Sequence, residues 1–247
     1  MTKTHLGRKL FGIYKILRKV YGVQRCFLKH EDPLELLVSA VLSAQCTDAK
    51  VNSVTPGLFK RYPDVRSFAS ADIKELESAI KPCGLYHAKA KNIIGACKLL
   101  LSRFGGKVPD KMEDLTSLPG IGRKTANVVL GHAFGIPGFP VDTHVNRLLN
   151  RIGVAKTEDP VKIELIVNAN LPAKYWSEFS LLLIQHGRNR CRSQRPDCPN
   201  CEIRGLCRKI IRRGECKTKF CRVRSGSASN AVTRHPRCRV SGVSILR

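Results

Sequence analysis

The sequence has no run of about 18 apolar residues, the length that a helix needs to cross a bilayer. Its first twenty residues are basic and amphipathic, and they lack the uninterrupted apolar segment of a secretory signal. No alternating strand pattern of useful length occurs, and there is no internal repeat. We therefore expect an all-α protein without a membrane span. It would be cytoplasmic, in a bacterial cytosol and nucleoid, or would belong to an organelle or nucleus in a eukaryote.

Acidic residues are also scarce, 19 against 44 Lys and Arg, which leaves a net charge of +25. Such an excess favours a polyanionic partner, because each phosphate that a basic side chain neutralises releases counterions. Charge kept only for solubility is the alternative. Apolar residues make up 43% of the 247 residues, enough to fill the core of one large domain or of two modest lobes.

Eleven cysteines are present, but their odd number, the chain length and the missing signal segment argue against a secreted disulfide protein. Four of them cluster as Cys191-x6-Cys198-x2-Cys201-x5-Cys207. Four thiolates so close in sequence can hold one compact metal centre. Zinc sites usually pair two short Cys-x2-Cys units, and only Cys198 and Cys201 form one here. The spacing alone leaves zinc and an iron–sulfur cluster open.

Helix signals run through most of the chain. Asp32, Pro33 and Glu35 form a clean helix start, with a capping side chain, a proline in the first turn and an acid that can complete a capping box. Another helix is predicted to start at Ser70 and to bury Ile73, Leu76 and Ile80. Apolar spacing predicts further helices over residues 51–59, 90–101, 112–117, 145–149 and 175–186, with one more starting at 159–160.

A glycine-rich turn, LPGIG at residues 118–122, precedes a helical pattern that begins with Arg123 and Lys124. Gly120 and Gly122 tolerate positive φ and let the backbone approach a partner closely. The first amides of a helix have no internal acceptor and carry the positive end of its dipole, so they suit a phosphate. A plain turn between two core helices is the alternative for this stretch taken alone.

The string LPGIGRKTA at residues 118–126, with VDTH at 141–144, resembles the helix–hairpin–helix signature of DNA glycosylases. More closely, it resembles the endonuclease III family. The resemblance extends from about Asp32 to Cys207. It implies an all-α helix–hairpin–helix glycosylase fold, in which two helical lobes flank a DNA-binding cleft and the four cysteines hold a [4Fe–4S] cluster.

The same resemblance implies a discontinuous iron–sulfur lobe made of residues 1–25 and 138–211. A six-helix barrel lobe would span residues 26–137 and include the helix–hairpin–helix at about 108–133. Residues 212–247 are basic and lack periodicity, so we expect a poorly ordered tail. Three cysteines without motif spacing lie in this tail: Cys216, Cys221 and Cys238.

By this resemblance, Lys124 is the nucleophile and Asp142 assists it and stabilises positive charge on the sugar. An amine can attack the anomeric carbon of a damaged nucleotide, displace the base and form a Schiff base, after which β-elimination breaks the strand. The lysine must be neutral, which partial burial, the helix N-terminus and Arg123 would favour. Asp142 also precedes a helical pattern as a good N-cap. The implied enzyme is a bifunctional DNA N-glycosylase and AP lyase that removes oxidised pyrimidines.

The resemblance also assigns contacts with double-stranded DNA that contains damaged bases or abasic sites. Gln45 and Leu85, both in predicted loops, match the positions that fill the hole left by a flipped nucleotide. An ordinary helix-end glutamine and a buried loop leucine are the alternatives. Gly120, Gly122 and Arg123 would grip phosphate at the hairpin. Arginines near the cysteines would meet phosphates once the cluster fixes their loop: Arg188, Arg190, Arg192 and Arg195.

One further cofactor follows from the resemblance alone. Backbone carbonyls near Thr116, Leu118 and Ile121 would hold a monovalent cation that bridges to a phosphate, although no side chain here encodes it. We expect the protein to act as a monomer.

Three other functions remain open. A pyrimidine-dimer glycosylase shares the hairpin and the cluster, and the sequence separates it poorly. An adenine-mismatch glycosylase lacks a lysine at the position of Lys124 and usually carries an extra C-terminal domain, for which the tail is too short. A non-catalytic hairpin DNA-binding protein with a structural metal would be favoured by loss of Lys124 or Asp142, and both are present.

Overall fold

The computed structural model describes residues 4–212 and 222–224. In this part of the chain the fold is all-α, as predicted, apart from one pair of three-residue strands. The helices are α1 His5–Tyr21, α2 Pro33–Leu42, α3 Asp48–Arg61, α4 Val65–Ala69, α5 Ile73–Ile80, α6 Tyr86–Phe104, α7 Met112–Thr116, α8 Arg123–Ala133, α9 Thr143–Ile152, α10 Pro160–Asn170 and α11 Trp176–Asn189. Two 3₁₀ turns occupy Lys81–Cys83 and Ala173–Tyr175. None of the described helices combines the length and apolar character needed to cross a bilayer.

The chain divides into two compact units. The hairpin unit consists of Gln24–Pro140 and Pro172–Leu181. The cysteine unit consists of Met1–Val23, Val141–Leu171 and Leu182–Arg247. The lobe boundaries that the sequence suggests differ from these units mainly in one segment, because residues 172–181 group with the hairpin unit.

Side-chain contacts explain that grouping. Ser177 Oγ donates to the Gly138 carbonyl at 3.0 Å, and Ser180 Oγ donates to the Pro140 carbonyl at 2.6 Å. The ring of Phe179 packs 6.0 Å from that of Phe139. The first turns of α11 are therefore bonded to the segment that ends the hairpin unit.

The core of the hairpin unit is built around α2 and α6. The Asp32 side chain caps α2 by accepting from the Glu35 amide at 2.8 Å, as predicted. Every residue of α2 from Leu36 to Leu42 is buried, and the helix contacts α3, α6 and α8. α6 packs against α4 and α5. Each fully buried leucine contributes roughly 1.5–3 kcal/mol, so this core fixes the ends of α2 and α6.

The cysteine unit gathers α1, α9, α10 and the last part of α11. Thr4 Oγ1 donates to Asn170 Oδ1 at 2.8 Å, which ties the start of α1 to the end of α10. Lys9 Nζ donates to the Ile152 carbonyl at 2.8 Å, at the end of α9. The fully buried apolar side chains of α1, α9 and α10 include Leu10, Ile13, Leu17, Val145, Leu148, Leu149, Ile163 and Val167. Strands β1 Ile210–Arg212 and β2 Arg222–Arg224 pair in parallel, and β1 contacts α9.

The helix predicted to start at Ser70 is wrong in two respects. The structure has two short helices there, and the second begins only at Ile73, because the Asp72 side chain accepts from the Glu75 amide and caps it. Ile73 is 44% exposed and not buried, whereas Leu76 and Ile80 are fully buried as predicted. The prediction also missed α4, whose Phe68 is fully buried and packs 5.1 Å from the ring of Tyr62.

The predicted disorder of the tail covers residues 212–247, of which Arg212 and Arg222–Arg224 belong to strands β1 and β2. Residues 213–221 and 225–247 lie outside the described part of the chain. The same holds for Cys216, Cys221 and Cys238.

Candidate active site and metal centre

The predicted hairpin is a turn between α7 and α8. The side chains of Leu118 and Ile121 are buried, and the Ile121 amide donates to the Leu118 carbonyl at 3.1 Å. Gly120 has a φ of 77°, and a Cβ there would lie 2.7 Å from Nδ2 of Asn92 on α6. The turn therefore needs glycine at position 120, both for its backbone conformation and for its close approach to α6.

Gly122 differs from the prediction, because its φ of −91° is open to any residue. A Cβ at this position would meet nothing within 4 Å. Gly122 is instead the N-cap of α8 and provides no side-chain hydrogen bond to the helix. The start of α8 therefore has no capping side chain, and uncapped helix starts of this kind bind external acceptors such as phosphate.

Arg123 and Lys124 are the first two residues of α8, and both are exposed. The partial burial that we expected for Lys124 is therefore wrong for the protein by itself. Within residues 4–212, the Lys124 amine has no hydrogen bond and no ion pair. An amine in this position is accessible to a substrate that binds at the start of α8.

Asp142 is half-buried and caps α9, as its sequence position suggests. Its Oδ1 accepts from the Val145 amide at 2.8 Å. No second hydrogen bond to its side chain is present in the described residues, which leaves Oδ2 available. An N-cap of this kind contributes about 1 kcal/mol, so Asp142 can stabilise α9 and still present an oxygen. Lys124 belongs to the hairpin unit and Asp142 to the cysteine unit.

Both residues predicted to fill the gap in DNA have a left-handed backbone. Gln45, in the loop after α2, has a φ of 52° and is exposed. Leu85, the N-cap of α6, has a φ of 49° and is 55% exposed. Left-handed backbone costs roughly 1–2 kcal/mol for a residue with a Cβ. A strained, exposed leucine is neither a core residue nor a favourable turn residue, and such strain is typical of functional sites.

The arginines near the cysteines have two different environments. Arg192 and Arg195 are exposed, and Arg195 has a left-handed φ of 52°. Arg190 instead forms ion pairs with Asp197 at 3.1 Å and Glu202 at 3.0 Å. These ion pairs connect Arg190 to the cysteine loop, and its phosphate contact stays a prediction.

The four cysteines Cys191, Cys198, Cys201 and Cys207 line one cavity in the cysteine unit, and none of the four is in a disulfide bond with another described residue. Burial raises the pKa of the Cys198 and Cys207 thiols and raises that of Cys201 to about 12. A bound metal replaces these protons and removes the repulsion among thiolates. The donor set therefore fits a metal centre.

Nitrogen donors lie close to two of the cysteine sulfurs. Arg151 Nη1 lies 3.5 Å from the Sγ of Cys191, and the Lys209 amide lies 3.3 Å from the Sγ of Cys207. Such donors stabilise anionic sulfur and tune an iron–sulfur centre.

His186 approaches the same centre from inside the unit. Its Nε2 lies 3.4 Å from Cys201 Sγ, and its Nδ1 lies 3.0 Å from the Tyr21 hydroxyl. Burial lowers the pKa of His186 to about 4, and burial raises the pKa of Tyr21 to about 12. The ring is therefore neutral. When Tyr21 donates to Nδ1, the ring hydrogen is on Nε2 and faces Cys201. The ligand atoms of His186, Cys201 and Glu202 lie within 4.8 Å of one another.

Sequence reasoning missed Arg151, which holds the start of the cysteine loop. Its side chain is 3% exposed and donates to the carbonyls of Arg192 at 2.6 Å and Ser193 at 2.7 Å. Arg147, one turn earlier on α9, donates to the Cys191 carbonyl at 2.9 Å. The only sign of this role in the sequence is the pair Arg147 and Arg151, four residues apart on one face of a helix. From the sequence alone, such a pair is typical of a solvent-exposed face.

Comparisons with known proteins agree with this arrangement. Residues 38–173 match the family described as HhH-GPD superfamily base excision DNA repair protein. Endonuclease III of Synechocystis sp. is 48% identical over 196 residues, covering 79% of this chain and 90% of that protein. Endonuclease III of Bacillus subtilis is 44% identical over 185 residues, covering 74% of this chain and 84% of that protein.

Solved structures give the same result. A non-covalent endonuclease III–DNA complex has a TM-score of 0.78 and 40% identity, and the match covers 82% of this chain and 95% of that one. A trapped endonuclease III–DNA covalent intermediate has the same TM-score and identity. Because family, relatives and structures agree over most of its length, the chain belongs to the endonuclease III family of HhH-GPD superfamily base excision DNA repair proteins.

Proposed function

We propose that this chain is a bifunctional DNA glycosylase and AP lyase of base excision repair, which removes oxidised pyrimidines from duplex DNA. The observation that carries the proposal is the exposed amine of Lys124 in the first turn of α8, a helix without a side-chain cap. A backbone phosphate bound at the uncapped start of α8 would hold the neighbouring sugar beside that amine. The solved complexes of related endonuclease III proteins with DNA support this substrate.

The proposed reaction begins with attack of the neutral Lys124 Nζ on C1′ of the damaged nucleotide. The bond from C1′ to the base breaks, and the base leaves with the electron pair and takes up a proton. Opening of the sugar ring gives an iminium at C1′, which acidifies the hydrogen on C2′. Loss of that proton expels the 3′ phosphate and breaks the strand on that side of the site.

Asp142 is the second residue that we assign to the reaction. Asp142 keeps Oδ1 on the α9 cap and uses Oδ2 to offset positive charge that develops on the sugar.

We assign Gln45 and Leu85 as the residues that occupy the gap left by the flipped nucleotide. Unstacking a nucleotide costs a few kcal/mol, and a side chain that fills the gap offsets part of that cost. Both residues are exposed and project from loops of the same unit.

We assign a [4Fe–4S] cluster to Cys191, Cys198, Cys201 and Cys207. When bound, the cluster supplies four iron–thiolate bonds that cross-link a loop with little regular structure. The loop then presents Arg192 and Arg195 to DNA phosphates. Arg151 holds the first residues of the loop by donating to the carbonyls of Arg192 and Ser193. The monovalent cation at the hairpin carbonyls stays a prediction.

A duplex with a single abasic site tests the nucleophile. Wild-type protein should cleave the strand and, with borohydride, form a covalent protein–DNA adduct. Lys124→Gln should abolish both, and the adduct should persist in Lys98→Gln, which removes another exposed lysine, from α6. Adduct formation by Lys124→Gln would refute the assignment. A wild-type protein that binds the duplex but leaves it whole would instead indicate a non-catalytic DNA-binding protein.

A further inference from the structure

Lys89, in the first turn of α6, is a buried lysine that donates three hydrogen bonds inside the hairpin unit. Its side chain is 3% exposed, and its Nζ donates to the carbonyl of Leu42 at 2.8 Å and to that of Cys83 at 3.0 Å. Its backbone amide donates to the Leu85 carbonyl at 3.0 Å. A single residue thus contacts the end of α2 and the turn that leads into α6.

The two carbonyls that Lys89 binds come just before the two residues that we assign to the DNA gap. Leu42 is the last residue of α2, three positions before Gln45. Cys83 ends the 3₁₀ turn, two positions before Leu85. The ammonium therefore joins two loops that are distant in sequence, since Lys89 and Leu42 are 47 positions apart.

The surroundings of Lys89 do not resemble a buried ion pair. No carboxylate contacts its ammonium among the described residues. Burial lowers the pKa of Lys89, and the nearby thiols of Cys46 and Cys83 oppose that shift. The Leu42 carbonyl lies at the negative end of the α2 dipole, which favours a cation. Taking a charge out of water costs several kcal/mol in proteins. The hydrogen bonds from the Lys89 ammonium to the carbonyls of Leu42 and Cys83 offset that cost here.

We propose that Lys89 is a positioning residue that fixes the Gln45 and Leu85 loops relative to each other, so that both side chains enter a duplex in one step. This inference rests on the proposed function. The left-handed backbones of Gln45 and Leu85 agree with it, because strained residues persist only where their surroundings hold them. Without the ammonium, two buried carbonyls lose a partner, and each loop is free to relax alone.

The test compares cleavage of an abasic site in a duplex with cleavage of the same site in a single strand, because only the duplex has a gap to fill. Lys89→Met keeps the length and apolar stem of the side chain and removes the ammonium. We expect it to reduce duplex cleavage about tenfold more than single-strand cleavage, as loss of charged hydrogen bonds of this kind would give. The control is Leu100→Ala, a fully buried site further along α6, which should lower the melting temperature without changing that ratio.

A second readout follows the gap directly. We place 2-aminopurine opposite a tetrahydrofuran analogue of the abasic site and record the change in its fluorescence when protein binds. Lys89→Met and Leu85→Ala should each reduce the change, and the double variant should lose less than the sum of the two, because both act on one insertion step. Additive losses, or an unchanged duplex-to-single-strand ratio in Lys89→Met, would overturn the proposal.

Hydrogen exchange in the wild-type protein decides the question should Lys89→Met not fold. The Cys46 amide donates to the Ser43 carbonyl in the Gln45 loop, and the Gly84 amide donates to the Lys81 carbonyl in the Leu85 loop. If Lys89 couples the loops, both amides open with the same free energy, and two different values contradict it. A wild-type protein that cleaves neither strand form refutes the proposed function instead, which separates the two failures.

Discussion

Two substitutions at Leu85 should differ in their effect on stability while both impair cleavage of duplex DNA. The left-handed backbone of Leu85 costs roughly 1–2 kcal/mol, and Leu85→Ala keeps that cost while removing the side chain. Leu85→Gly relieves the cost but adds about 0.5–1 kcal/mol of chain entropy to folding. Both variants lose the same contacts of a side chain that is 55% exposed. We therefore expect Leu85→Gly to be more stable than Leu85→Ala by about 0.5–1 kcal/mol, the reverse of the usual order in a helix.

Urea denaturation measures this difference as a shift of the midpoint at constant slope. The matched control is Leu165, which is 56% exposed in the body of α10. There the glycine variant should be less stable than the alanine variant by about 1 kcal/mol. Both Leu85 variants should lose duplex cleavage in preference to single-strand cleavage. If Leu85→Ala proves as stable as Leu85→Gly, the backbone at Leu85 is not strained and the reasoning fails.

Two further predictions concern the hairpin and the cysteine loop. Gly120→Ala should destabilise the protein by about 1–3 kcal/mol, because its methyl group meets Asn92 and its backbone is left-handed. Gly122→Ala should leave the midpoint of urea denaturation unchanged. Equal midpoints for the two variants would contradict the close approach of Gly120 to α6. Arg151→Met should leave the carbonyls of Arg192 and Ser193 without the donor that holds them. The visible absorbance of the bound cluster should then decay faster in a chelator than in wild-type protein, and an unchanged decay rate would show that the arginine does not hold the loop.

The local signals that the sequence carries were sufficient for most helices. Aspartate and proline at Asp32 and Pro33 predicted the start of α2, because one side chain caps the helix and the ring suits its first turn. The same type of reasoning failed at Ser70. Asp72 was the stronger cap, but choosing between two nearby caps requires knowing which residues face the core, and periodicity over eight residues does not supply that.

The candidate site was predicted by motif and refined by structure. The hairpin turn at Gly120 and the cap at Asp142 follow from residue type, since glycine and aspartate have narrow conformational roles. The exposure of Lys124 could not be predicted, because burial depends on what packs over α8. Arg151 and Lys89 escaped for a related reason. Each is a charged residue that donates to backbone carbonyls of distant segments, and such partners cannot be read from a sequence.

The cysteine unit is built from segments that are far apart in sequence, and this affects its folding during synthesis on the ribosome. Its first helix emerges first, but the Thr4–Asn170 hydrogen bond spans 166 residues. Until α10 is made, the apolar face of α1 has none of its α10 contacts, while nearly all of the hairpin unit can already fold. A nascent chain would thus display Leu10, Ile13 and Leu17 for most of its translation. Exposed apolar surface of this kind is prone to aggregation, so α1 is the segment most at risk during that interval.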